Sequence, residues 1–170
     1  MLDETALAPH PFIGIARPRR IRSLAAYKQT LPALEAVIGV TLPTTPKRIT
    51  HQGAEILWNG PRQWLVLGEL ALPAELAAIT EQTDGLCLLS LSGPHAIEIL
   101  KRLLSIDIAR FGADEVAITS AAHIGVRVWR EDGNFVLACF RSFGAALHHA
   151  LMQAANMFIN ASAHNPAGTV

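Results

Sequence analysis

The sequence predicts an α+β fold, a two-layer design in which antiparallel hairpins pack against helices. Three observations lead there. Asn59-Gly60 and Asp132-Gly133 are turn signals, and each separates two short apolar runs of strand character. Helical stretches punctuated by proline and glycine alternate with those hairpins. The order of elements, helix then hairpin in each half, is that of an α+β chain and not of a doubly wound parallel sheet.

The elements follow in order. Residues 1–22 have no hydrophobic period and contain Pro9 and Pro11, so they are expected to form an extended arm. The run Arg17-Pro-Arg-Arg-Ile-Arg22 reads either as a solvated basic loop or as a contact for an acidic surface or a bound anion. Thr30 to Gly39 is a short helix: Thr30 suits the cap, Pro32 falls in the first turn, and Gly39 suits the left-handed position beyond the end. Leu34, Val37 and Ile38 share one face of it. Glu55–Trp58 and Gln63–Leu67 are the strands of the first hairpin, with Pro61 expected to lengthen the turn. Leu72 to Thr80 reads as a second short helix, and 86–91 as a strand buried on both faces.

Ser92-Gly-Pro94 opens the clearest helix, with Ser92 or Gly93 as cap. Ile97, Leu100, Leu103 and Leu104 form its apolar face, and Glu98 is in reach of Arg102 one turn on. Residues 117–119 form a short strand, and 123–130 and 135–140 the second hairpin. Ser142 is placed to cap the last helix, whose apolar face comprises Phe143, Leu147, Ala150, Leu151 and Ala154. The resulting organisation is an arm over 1–22, one domain over 23–155 made of two sub-units (about 23–82 and 83–155), and a frayed tail over 156–170.

Charged residues are only 16% of the 170, against roughly a quarter in ordinary soluble domains. A chain so poor in charge has apolar surface to spare, and a partner chain is the natural cover for it. The net charge is zero, so neither nucleic acid nor lipid headgroups are indicated as partners. No apolar run is long enough to cross a membrane. The N-terminus is acidic and carries no basic-then-apolar leader, and Cys87 and Cys139 sit in apolar runs that suit buried, protonated, inert thiols. A reducing, cytoplasmic location is therefore expected.

A search for chemistry finds none. His148 and His149 are adjacent and would diverge by about 100° on a helix, and no metal-ligating His or Cys spacing occurs. There is no glycine-rich nucleotide loop. Ser90-Leu-Ser92-Gly93 lacks the first glycine of a nucleophile elbow, and the carboxylates are too scattered to pair. The site prediction is accordingly no catalytic, cofactor-binding or metal-binding residue. The candidates are for an interface: Trp58, Arg62 and Trp64 on the first hairpin, and Arg141 with Phe143 at the entry to the last helix, arginine and tryptophan being favoured at interface centres. Each has a structural alternative, the tryptophans as core aromatics and Arg141 as a solvated or cap-paired group.

Several blocks carry a family resemblance in order. The run from Leu91 to Asp107 resembles a strand–helix unit in the N-terminal part of the folate-binding fold of glycine-cleavage T-proteins and tRNA-modification GTPases. Pro11-Phe-Ile-Gly14, the 36–43 helix end, the 56–66 hairpin with its Trp-x-Gly-Pro-x-x-Trp-Leu pattern, His123 to Trp129, and Arg141-Ser-Phe143 together resemble the gamma subunit of heterotetrameric sarcosine oxidase over about 11–155. The resemblance implies a complex of alpha, beta, gamma and delta chains, with alpha the direct partner. That complex oxidises sarcosine to glycine with release of hydrogen peroxide and transfers the one-carbon unit to tetrahydrofolate. It implies FAD, FMN, NAD and tetrahydrofolate on the larger subunits, zinc on delta, and no cofactor on this chain, which would be inactive alone. The Arg17–Arg22 run and the alanine-rich tail have no counterpart in the family pattern. They leave open a gamma-type subunit of a related N-methyl amino acid oxidoreductase. A stand-alone folate-binding protein of the aminomethyltransferase type and a non-enzymatic adaptor are the further alternatives; the chain is short for the former and lacks the Lys-Gly-Cys-x-x-Gly-Gln-Glu run of the iron–sulfur assembly relatives.

Overall fold

The computed structural model describes residues 10–16 and 19–163, with side chains as far as 158. The strands are β1 (Ile13–Ile15), β2 (Ile21–Ala26), β3 (Arg48–His51), β4 (Ala54–Gly60), β5 (Gln63–Leu67), β6 (Ala77–Glu81), β7 (Leu86–Leu91), β8 (Val116–Ala121), β9 (Ile124–Glu131) and β10 (Asn134–Phe140). The helices are α1 (Leu31–Ile38), α2 (Ala96–Leu103) and α3 (Gly144–Ala163).

The strands form two five-stranded antiparallel sheets. The first has the order β3-β4-β5-β2-β6 and the second β1-β7-β10-β9-β8. Alternation along each strand sorts side chains into three apolar layers. Leu24, Ile56, Trp64 and Val66 of the first sheet pack with Leu34 and Ile38 of α1. Ile21, Leu57, Leu65 and Leu67, on the opposite face, meet Leu86, Leu88, Val116, Trp129 and Val136 of the second sheet. The far face of that sheet, with Leu89, Leu91, Val128, Phe135, Leu137 and Cys139, is covered by Ile99 and Leu100 of α2 and Leu147 and Leu151 of α3. The predicted α+β class holds, and the two helix-on-sheet halves stack through their sheets into four layers. Among the described residues no helix is long and apolar enough to cross a membrane.

Several local expectations change. The arm expected over 1–22 contains strands where it is described: β1 pairs with β7, Ile13 opposite Leu91, and β2 begins at Ile21 between β5 and β6. Residues 1–9, 17 and 18 lie outside the described set. The helix expected over 72–80 is instead the edge strand β6, in register with β2 from Ala77–Ala26 to Glu81–Arg22. Burial of Ala77 and packing of Ile79 against the α1 layer repay an extended backbone that local propensity disfavours. Of the 156–170 tail, 156–163 continue α3, and the rest is not described.

Capping differs as well. Thr30 stands at the N-cap of α1 without capping it, since its hydroxyl donates to the Leu76 carbonyl (2.6 Å). Gly39 takes the left-handed C-cap (φ 82°) as expected. α2 begins only at Ala96, so Ser92 and Gly93 precede it; Gly93 adopts φ 90° with its α-carbon against the Phe12 ring. Ser142 lies inside a 3₁₀ turn over 141–143 and caps nothing. On α2, Glu98 accepts from Lys101 (2.8 Å), while Arg102 lies over the Phe158 ring. Val37, expected on the buried face of α1, is 63% exposed.

Candidate interface

The first hairpin is tighter than expected. β4 extends to Gly60 and β5 starts at Gln63, leaving Pro61 and Arg62 as the turn, with a register shift between Trp58 and Gly60. Arg62 holds φ 60°, a left-handed conformation that costs a non-glycine residue about 1 kcal/mol or more. What holds it is β2: the Ala26 amide donates to the Arg62 carbonyl (3.1 Å), and the Arg62 guanidinium donates to the Ala26 carbonyl (3.2 Å). Asn59, on the other side of the turn, accepts a hydrogen bond from Arg127 of β9, so the hairpin is tied to both sheets. Burial lowers the pKa of Arg127, and no carboxylate among the described residues lies within ion-pair reach of it.

The tryptophans separate into two roles. Trp58 and Trp64 are cross-strand partners on the α1 face. Trp64 is only 1% exposed and its indole N–H donates to the Pro43 carbonyl (2.8 Å). It has no surface for a partner, which corrects its candidacy: full burial with a satisfied N–H makes it a core residue. Trp58 is half-buried at the margin of the same layer and keeps some surface.

At the far end of β10, Arg141 donates from Nε to the Asp84 carbonyl (2.7 Å) and from Nη2 to the Thr83 carbonyl (3.3 Å), and its amide donates to Gly85 (2.9 Å). The guanidinium ties down the 83–85 turn, so it is neither freely solvated nor paired with a helix cap. Phe143, expected on the buried face of the last helix, is 49% exposed, and Phe140, three residues earlier, is 57% exposed. The two candidate patches are not brought together: Arg62 binds at the Ala26 end of β2, and Thr83 accepts the Ile21 amide at the other (2.9 Å). Six strand residues put roughly 16 Å between them.

Sequence reading missed a charge cluster at the sheet–sheet boundary. Arg19 contacts Glu131 of β9 and lies 3.7 Å from Glu55 of β4, which also accepts from Arg48 of β3 (2.6 Å). These side chains are only 14–23% exposed. Burial pushes the Glu55 carboxyl above its ordinary range, Arg48 and Arg19 pull it back, and Glu131 pushes in the same direction as burial. Beside the cluster is a cleft of about 290 Å³ lined by Ile15, Ala16, Ser90, Glu131, Asp132, Asn134 and Val136. The signal for the cluster was the Arg17–Arg22 run, but its partners are far away in sequence. Among the described residues no three His, Cys, Asp or Glu are grouped to hold a metal.

The class defined here is a four-layer α+β module whose polar side chains hold its own turns and sheets. No protein-family model matches the sequence, and no curated protein is similar to it. Among solved structures, it is similar to a chain of the heterotetrameric sarcosine oxidase from Corynebacterium sp. U-96, solved in complex with pyrrole 2-carboxylate, with 23% identity and a TM-score of 0.75. The likeness covers 98% of this chain and 93% of that one, so the two chains are nearly equal in length and share one fold from end to end.

Proposed function

We propose that the chain is the gamma-type, non-catalytic subunit of a heterotetrameric sarcosine oxidase. The observation that carries this reading is the end-to-end fold likeness to a chain of such a complex. The ordered blocks of the gamma-subunit resemblance point the same way. In this reading the flavins, NAD, tetrahydrofolate and zinc lie on partner chains, and the alpha subunit is the direct neighbour.

Docking falls to the groups that keep surface after Trp64 and Arg141 are assigned to the fold: the half-buried Trp58 and Arg62 at the hairpin, and the exposed Phe143 and Phe140 at the other end. A stand-alone folate protein is disfavoured by the cleft. Its volume is at the lower limit of the ~300–1,000 Å³ that drug-sized ligands occupy, and its lining offers no cation for the carboxylates of a folate.

Co-expression with the neighbouring genes, followed by native mass measurement and an absorbance spectrum, tests the proposal. The expected result is one copy of this chain in a flavin-coloured assembly of four different chains, and a colourless, inactive chain when it is expressed alone. A yellow, active isolated chain would overturn it.

A further inference from the structure

Cys87 of β7 and Cys139 of β10 are direct cross-strand partners. The Arg141 amide donates to the Gly85 carbonyl two residues further along the same ladder, so Cys139–Cys87 is a hydrogen-bonded pair of the antiparallel register. Such pairs hold their α-carbons about 5.5 Å apart, inside the roughly 4.4–6.8 Å window of a disulfide. Both side chains lie on the helix-covered face, at the end of β10 that runs on into the 141–143 turn and α3. Both stand as thiols.

The two differ in environment. Cys139 is fully buried, whereas Cys87 is half-buried and can be reached from outside. Hydrogen bonding between the two sulfurs, with burial, pushes the Cys139 thiol up. The accessible member is the one an oxidant reaches first, and the buried member keeps its proton.

We propose that Cys87 and Cys139 form a redox-modifiable dithiol, with Cys87 the attacking and Cys139 the resolving thiol, which a hydroperoxide oxidises to an intrachain disulfide. In the first step the Cys87 thiolate attacks one peroxide oxygen; the O–O bond breaks, Cys87 becomes a sulfenic acid, and hydroxide leaves. In the second step the Cys139 sulfur attacks the Cys87 sulfur, the S–O bond breaks, and water leaves with the Cys139 proton. Two thiols lose two electrons and the peroxide gains them. Side chains in a hydrogen-bonded pair diverge more than a disulfide prefers, so the cross-link would be strained and readily reduced.

The test uses the purified full-length protein with whatever partners accompany it. It is reduced, freed of reductant without air, and treated with equimolar hydrogen peroxide. The expected result is loss of two hydrogens' mass within one chain, a Cys87–Cys139 cross-linked peptide, and full reversal by dithiothreitol. Cys139→Ala should accumulate a dimedone-reactive sulfenic acid on Cys87, and Cys87→Ala should leave Cys139 reduced. Circular dichroism spectra that match the wild type keep both variants informative. Oxygen accumulating on Cys87 of the wild type without a cross-link, a disulfide only between chains, or two thiols still fully alkylatable after peroxide would each overturn the proposal.

Discussion

Replacing Trp64 with phenylalanine separates a core tryptophan from an interface tryptophan. Trp64 is 1% exposed, and its N–H donates to the Pro43 carbonyl at 2.8 Å. Phenylalanine keeps the cross-strand contact with Trp58 but loses that donor, leaving a buried carbonyl unmet at a cost of about 1–2 kcal/mol. It also removes roughly 40 Å² of buried apolar surface, worth ~1 kcal/mol. The sum is about 2–3 kcal/mol, which lowers the Tm of a chain of this size by roughly 5–10 °C. Thermal unfolding followed by circular dichroism, with urea unfolding as the check, reads the loss. Capture of partner chains well below the transition should be unimpaired. A Tm within about 1 °C of wild type together with lost partner capture would refute the assignment, because the indole would then be bonding across an interface.

Two further outcomes follow. Arg141→Ala removes two guanidinium bonds to the carbonyls of Thr83 and Asp84 and, discounted for partial exposure, should cost about 1–2 kcal/mol in urea unfolding, whereas Phe143→Ser should stay within ~0.5 kcal/mol and serve as the clean probe of docking. Burial, with the neighbouring His10 and His149, holds His148 below its ordinary pKa of 6.5; the unfolded chain therefore binds more protons there, and stability falls as pH drops below about 6.5 through the folded value. Urea midpoints between about pH 5 and 7.5 should show that slope in the wild type and a flatter one in His148→Gln.

What was legible in the sequence was what short-range chemistry decides. Asp132-Gly133 located the β9–β10 turn and Asn59-Gly60 fell just before the β4–β5 turn, while the β3–β4 and β8–β9 hairpins went unseen; Gly39 ended α1 where a left-handed residue was needed. Helical spacing found Leu34 and Ile38 of α1 and Leu100 of α2, but it placed Val37 inside, missed the fully buried Ile99, and put Ile97 and Leu103 deeper than they lie. What was not legible depends on contacts distant in sequence. Residues 77–81 have the alanine content of a helix, yet β2 recruits them as an edge strand. Ile13 to Ile15 read as an arm because three residues carry no period; they are a strand only because β7 offers an edge. The interface candidates came from residue type alone, and type does not distinguish an arginine that binds a partner from one that holds a turn, as Arg141 does. Cys87 and Cys139 read as separate buried thiols, since only the ladder register sets them side by side.

The crossover of β1 into the second sheet has a consequence for how the chain acquires its structure. β1 must wait for Leu91, at the far side of the whole first sheet in sequence, before it has a partner. Closing that loop around an unfolded segment is entropically costly; closing it around a finished first sheet costs far less. Assembly is thereby biased toward an order, first sheet, then β7, then β1 as the last edge. The two halves also cease to be separable: a chain cut between β6 and β7 would leave the second half without one edge and the first half trailing a strand with nothing to pair.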